Sequence, residues 1–405
     1  MAKKALSPIS RALLSSQISP KESPLAYGVG SVSLFIGLPK ERSAEENRVA
    51  LRPSSVALLC SVGHKVCIES GAGEGIGYAD KDYVKAGACV VSSAEEVFAS
   101  DIVLKVNPPS LKEIALMKPQ STLISALLMV DRELRYIQAL NAKKITAIAF
   151  ELIKDEHSSF PVVRAMGEIA GSLVILIASE YMSSYNGGVG LMVGGITGLP
   201  LTKVLILGSG TVATHAARVA IGLGADIKVF DWELHRLQRF QSGFSRIIYT
   251  SLMDKSALRT ELKTTDVLII ALRKNPYYTG YVLTKDMVAS MKPGTILVDI
   301  SIDQGDLVET SHLTSHKKPT YVAEDVLHYC VPNIASRVPK TASMALSNIF
   351  APLLLEMGER GGIYQIITQK KGFMESVYTY KGYLTNIELA KRLNMDYKDM
   401  NLLIF

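Results

Sequence analysis

The sequence predicts an α/β protein of two Rossmann-like, parallel-sheet domains with a cleft between them, the first domain being discontinuous. Three observations predict it. Short β-branched or apolar runs alternate with helical patterns from residue 33 onward, which is the signature of strands joined by helices and hence of a parallel sheet. A second series of the same kind begins at "KVLILGSG" with a glycine turn. The 405 residues exceed the roughly 100 to 200 of an ordinary domain, so two cores are the default.

The elements follow in order. Residues 1–32 carry Lys3, Lys4, Arg11 and Lys21 among serines and prolines. They lack the apolar stretch of about 7 to 15 residues that a secretory signal needs, and read as an N-terminal arm. The first strands are "LFIGL", "HKVCIES", "CVVS", "DIVLKV", "TLISALL" and "KITAIAFE". Past "HSSFPVV" a helix over about 164 to 182 leads into "NGGVGLMVGGITGLP". No strand feeds that glycine-rich stretch and no Lys-Ser/Thr pair closes it, so it reads as a connector and not a phosphate loop. The second series continues with "DIKVF", "RIIYT", "DVLIIA", "TILVDIS" and "TYVA", ending near residue 323. The helical "KTASMALSNIFAPLLLEMGERGG", stopped by Gly361 and Gly362, carries the chain back to the first domain. The expected division is 33–162 plus 338–405 for a substrate domain and 163–337 for a nucleotide domain.

Composition narrows the function classes. Hydrophobic residues make up 48% and charged residues 20%, the balance of a soluble globular chain. No apolar run reaches the roughly 18 residues of a membrane span; "SLVILIASEYM" is shorter, contains Glu180 and reads as a buried helix. The net charge of +6 is spread over single and paired basic residues, which argues against a nucleic-acid partner. Four cysteines, Cys60, Cys67, Cys89 and Cys330, show no CxxC spacing. Neither a disulfide framework nor a metal site is expected, and the reducing cytoplasm fits.

Two segments carry chemistry. In "VLILGSGTVATHAARVA" Gly208 permits a tight turn, Gly210 admits a pyrophosphate to the backbone, and Ala213 takes the third position of G-x-G-x-x-A; the helix that follows supplies free amides and its dipole. About twenty residues on, "DIKVFD" ends with Asp231, a carboxylate placed to accept ribose hydroxyls and repel a 2′-phosphate, so the expected cofactor is NAD. In "DIVLKVNPPS" Lys105 ends a strand that Pro108 and Pro109 terminate. A buried, unpaired ammonium is costly, so Lys105 either meets an anion in a cleft or snorkels from an edge strand.

Several segments together resemble the alanine dehydrogenase family, which shares its fold with the NAD(H)-binding first domain of the transhydrogenase α subunit. They are "IGLPKERSAEENRVALRP", "ESGAGEGIGYAD", "VLKVNPP", "EIAGSLV", "LGSGTVA", "MKPGTILVDISIDQGD" and "HYCVPNIASRVPKTAS". The likeness runs from about residue 33 to 350. It implies NAD-dependent oxidative deamination of L-alanine to pyruvate and ammonium in a homo-oligomer, a hexamer or, as in the transhydrogenase domains, a dimer. By the same resemblance Arg48 and Lys105 match the residues that bind the substrate carboxylate and carbonyl, Asp303 the carboxylate beside the nicotinamide, and Asn333 a residue lining the cleft. The residue types suit these roles: arginine grips a carboxylate as a fork, and a lysine polarises an oxygen that becomes electron-rich. Arg48 as a surface ion-pair partner of Glu45 or Glu46, and Asp303 as a turn residue, are the plainer alternatives.

Two positions depart from the family pattern. Where typical members carry a catalytic histidine the matching residue is Leu128, and where a serine is common the chain has Gly167. Either Asp303 or Lys105 takes over proton transfer, another histidine reaches in, or deamination is weak. Among the other histidines, His328 is nearest in sequence to Asn333 and reads as a packed residue at a helix start. A transhydrogenase-like component, a regulator without turnover, and a dehydrogenase forming a saccharopine-like secondary amine are the competing functions. The loop "LRKNPYYTGYV" lacks the mobile segment the transhydrogenase reading needs.

Overall fold

The computed structural model describes residues 30–127, 134–273, 280–305 and 307–404. Two sheets organise them. The first contains β1 (Phe35–Leu38), β2 (Lys65–Glu69), β3 (Cys89–Val91), β4 (Ile102–Leu104), β5 (Thr122–Ser125) and β6 (Thr146–Ala149), all parallel. The second contains β7 (Lys203–Leu207), β8 (Asp226–Asp231), β9 (Tyr249–Leu252), β10 (Val267–Ile270), β11 (Ile296–Asp299), β12 (Thr320–Ala323) and β13 (Val326–Tyr329). A closing hairpin, β14 (Val377–Tyr380) and β15 (Tyr383–Leu384), joins the first sheet antiparallel to β6. The orders are β15-β14-β6-β5-β4-β1-β2-β3 and β12-β13-β11-β10-β7-β8-β9. The central strands β4, β5, β6, β10 and β11 are buried at every position, as expected of parallel strands covered by helices on both faces.

Two long helices connect the halves. Pro161–Met182 runs from the first sheet to the second and packs against Thr211–Gly222. Their approach is close enough that a Cβ on Gly171 would lie 2.3 Å from the Val212 carbonyl oxygen. Pro339–Glu359 returns to the first sheet, and its serines hold the loop ahead of Pro53–Ser61: Val49 N–H donates to Ser343 Oγ at 2.9 Å and Arg52 N–H to Ser347 Oγ at 3.0 Å.

The structure corrects the sequence reading in four places. The segment with His328 is strand β13 and not a helix start; Leu327, His328 and Tyr329 pair with the β-branched and apolar Ile296, Leu297 and Val298 of β11. The second series therefore continues beyond residue 323, and β12 runs antiparallel to β13. The strand expected at "RIIYT" is β9, displaced toward the C-terminus to Tyr249–Leu252. The helix Pro161–Met182 has 22 residues and a mean hydropathy of 1.7 over an 18-residue stretch, long and apolar enough by those measures to cross a membrane. Here one face of it, including Val174, Ile175, Ile177 and Ala178, lies buried in the core of the second sheet, while Leu176 is exposed.

Candidate active site

Strand order locates the site before any side chain does. In an open parallel sheet the crevice lies at the carboxyl ends of the strands, where successive connections leave in opposite directions. In the first sheet that point falls between β1 and β4, and in the second between β7 and β10.

Lys105 follows β4 directly, and across the crevice the chain leaving β1 supplies Glu41. Lys105 Nζ lies 2.5 Å from Glu41 Oε2, and the two side chains are 3% and 7% exposed. The remaining oxygen, Oε1, accepts the backbone N–H of Val106 at 2.8 Å and of Asn107 at 3.2 Å. Nζ also donates to the Asn107 carbonyl at 3.3 Å. The anion that Lys105 requires is thus one of the chain's own carboxylates. Burial pushes the Glu41 carboxyl above its ordinary value; Lys105 opposes that shift, while the nearby Glu46 charge adds to it.

Arg48 lies on the same loop, buried, and forms a fork with Glu46: Nε donates to Oε1 at 2.7 Å and Nη2 to Oε2 at 2.6 Å. Its partner is the Glu46 that the plain reading named, but the pair is internal and not on the surface. The second half of the molecule reaches this pair twice. Asn333 Nδ2 donates to Glu46 Oε2 at 3.3 Å, and Arg48 Nη1 lies 3.5 Å from Met166 Sδ on the helix Pro161–Met182. Asn333 holds a left-handed conformation, φ 56° and ψ 48°, at the entry to the turn Ile334–Arg337; asparagine tolerates this better than most residues. Ser336 in that turn meets His316 Nε2 at 2.9 Å, and burial holds the His316 ring below its usual pKa.

At the crevice of the second sheet stands the glycine loop. Gly208 has φ +110°, and a Cβ there would fall 2.2 Å from the Ala271 carbonyl oxygen, so no other residue fits. At Gly210 a Cβ would touch only Arg236 Nη2, at 3.5 Å, which leaves the backbone open to a ligand. The helix Thr211–Gly222 starts here, with its first amides unspent within the helix, and Ala213 is buried beneath it. Asp231, at the tip of β8, is buried and turned into the loop. Its Oδ2 accepts Ser209 N–H and the Ser209 hydroxyl, each at 2.7 Å, and Arg236 Nε lies 3.9 Å away. A dinucleotide fits this cradle: open backbone, helix amides, and a carboxylate at the end of the second strand. Asp303 lies exposed in the short turn Ile302–Gln304 after β11, at the same edge of the sheet. The neighbouring Asp299 is buried, and burial pushes its carboxyl up to about 6.

Comparison with known proteins agrees with this architecture. The model for the alanine dehydrogenase/PNT N-terminal domain matches residues 37–170, and that for the C-terminal domain residues 174–387. The chain belongs to the alanine dehydrogenase/PNT family. Alanine dehydrogenase 2 of Staphylococcus aureus (strain USA300) is 35% identical over 366 residues, which cover 90% of this chain and 98% of that protein. A solved L-alanine dehydrogenase superimposes with a TM-score of 0.82 at 34% identity, over 88% of this chain and 98% of that one. A transhydrogenase from Sinorhizobium meliloti shares the fold, with a TM-score of 0.73 at 23% identity over 87% and 99% of the two chains.

Within this family the two departures have different fates. Gly167 borders the nucleotide helix: a Cβ there would lie 3.6 Å from Thr211 and Val212 side-chain atoms. Leu128 lies outside the described residues, as do residues 1–29 of the arm and 274–279 of the loop weighed against the transhydrogenase reading. Sequence reasoning missed Glu41 as a site residue and saw Glu46 only as a surface partner. The available signal was three carboxylates in "PKERSAEENR" ahead of a strand-end lysine that had to be neutralised.

Proposed function

We propose that this protein catalyses the NAD-dependent oxidative deamination of L-alanine to pyruvate and ammonium, and the reverse reductive amination. The observation that carries the proposal is the pair of buried cations, Arg48 and Lys105, at the carboxyl edge of the first sheet, with the loop of Arg48 meeting the second half of the molecule through Asn333 and Met166. Family membership supplies the reaction class. Residues 33–162 with 338–405 form the substrate side of this arrangement, and 163–337 the nucleotide side.

Each residue has a task. Arg48 spends two of its five N–H donors on Glu46 and directs a third at Met166 Sδ, and offers the remaining two to the substrate carboxylate. Lys105 faces the oxygen that forms at the keto carbon, where a positive charge stabilises developing negative charge. Asn333 lines the same space, and Asp303 orients water or ammonia. Gly208, Gly210 and Ala213 shape the pyrophosphate cradle, while Asp231 braces the loop and places a negative charge where a 2′-phosphate would sit. The bound nucleotide supplies the acceptor for the α-hydrogen and its electron pair. A homo-oligomer working in the cytoplasm belongs to the same reading.

The test is NADH consumption by the purified protein with pyruvate and ammonium together, with either omitted, and with other 2-oxo acids. Turnover that needs both substrates is the expected result. Tight NADH binding without turnover on any oxo acid would overturn the proposal.

A further inference from the structure

We propose that Glu41 is the general base of this reaction, acting through Lys105: the buried couple across the first-sheet crevice takes and returns the protons that a histidine handles elsewhere in the family. The inference rests on alanine deamination as the activity. Its basis is geometric. Lys105 Nζ and Glu41 Oε2 are 2.5 Å apart and nearly sealed from water, so a proton crosses between them without a solvent intermediary. The other Glu41 oxygen is fixed by two backbone amides from the end of β4, which aims Oε2 at Nζ. The charged groups around the couple are already committed. Glu46 is held by Arg48, and Arg42 and Lys40, which flank Glu41 in sequence, pair with Glu69 and Glu74. Glu41 is the carboxylate left to exchange with Lys105, and its displacement above the ordinary carboxylate range brings it toward the working pH of a base.

The protons balance as follows. The reacting L-alanine carries a neutral amine, its ammonium proton having passed to solvent, and loss of hydride from its α-carbon to the acceptor that the bound nucleotide supplies leaves an iminium. As the oxygen of water bonds to that carbon, one O–H bond breaks; its proton goes to Lys105 Nζ while a proton already on Nζ moves to Glu41 Oε2, taking the couple from net charge zero to +1. The couple then protonates the amine of the carbinolamine. The C–N bond breaks with its electron pair on nitrogen, and the hydroxyl proton passes to the couple as the carbonyl forms. That last proton leaves with ammonia as ammonium, and the couple returns to zero.

The test compares the wild type, Glu41→Gln and Glu41→Asp as full-length protein. It follows kcat at saturating L-alanine against pH, where the titration of the free substrate drops out, with NADH binding by fluorescence as a folding and cofactor control. The expected result for Glu41→Gln is a loss of about a hundredfold with NADH affinity unchanged. Its rising pH limb should shift alkaline by more than about one unit, because an amine titrates far above a carboxylate. Glu41→Asp should keep the wild-type limb at reduced rate. Should Glu41→Gln fail to fold, the wild-type limb still decides: a carboxylate pKa barely changes with temperature, whereas that of an amine falls on warming. An unchanged rate in Glu41→Gln, a lower rate with an unshifted limb, or a wild-type limb with an amine's temperature dependence would each overturn the assignment. A wild type inactive on alanine would instead refute the activity on which it rests.

Discussion

Replacing Lys105 with methionine keeps the length of the stem but strands Glu41 in a site where its carboxylate has no cation. Breaking a buried pair from one side costs roughly 3–5 kcal/mol. Here the carboxyl group can escape by taking up a proton, which costs about 1.36 kcal/mol for each pH unit above its pKa. With an ordinary value near 4.3, the ceiling at pH 7 is about 3.7 kcal/mol, and at pH 5 about 1 kcal/mol. The ordinary value of the unfolded chain sets these ceilings, and burial, which raises Glu41 in the fold, brings the variant toward them. Between these pH values the folded variant holds a proton that the unfolded chain releases, so its stability falls as pH rises. We therefore expect Lys105→Met to lose about 2–4 kcal/mol near pH 7 and no more than about 1 kcal/mol near pH 5. The assay is urea unfolding followed by circular dichroism at both pH values, with the double variant Lys105→Met/Glu41→Gln alongside. The double variant should recover most of the loss, since no charge is then stranded. An equal loss at both pH values, unrelieved by Glu41→Gln, would show that the cost is packing and refute the reasoning.

Three further outcomes follow from the same geometry. Gly208→Ala should abolish NADH binding in a fluorescence titration, since a Cβ at φ +110° would lie 2.2 Å from the Ala271 oxygen, a clash with backbone that cannot rotate away. Asp231→Ala should weaken NADH binding through the loss of the two Ser209 hydrogen bonds and raise the NADPH to NADH ratio of kcat/KM, because the charge facing a 2′-phosphate is gone. Arg48→Lys should raise KM for pyruvate at least about tenfold with NADH affinity unchanged, as an ammonium cannot reproduce a fork that holds Glu46 and still offers planar donors.

Much of the fold was legible because its strands are short, buried and apolar, and are bounded by helical patterns. The parallel strands β1 to β8, β10 and β11 all fall within the expected runs. Strand β13 was misread because "VLHYC" is brief and its histidine breaks the apolar run; His328 is accommodated by Thr310 Oγ1 at 2.8 Å and the Val326 carbonyl at 2.9 Å. The hairpin β14–β15 did leave a signal, since "TYKGYL" places Lys381 and Gly382 at positive φ in a two-residue turn, and such turns favour glycine. Its place beside β6 could not be read, because nothing local specifies a partner so distant in sequence. The site divides in the same way. Lys105 announced itself as a charge at the end of a buried strand. Glu41, 64 residues earlier, became its partner only once the order of β1 and β4 was known.

The pairing of β14 with β6 also dictates a timetable. Thr379 Oγ1 bonds the Ile145 carbonyl across 234 residues, so on a ribosome the first sheet is made early and stays open along the β6 edge until residues 377–384 emerge. The whole of the second sheet, β7 to β13, is synthesised in between, and contacts of such wide sequence separation form slowly. An exposed parallel edge is an invitation to foreign strands. The newborn first half must therefore be shielded for most of translation, and truncations that remove the last thirty residues should aggregate through β6 while the second sheet folds undisturbed.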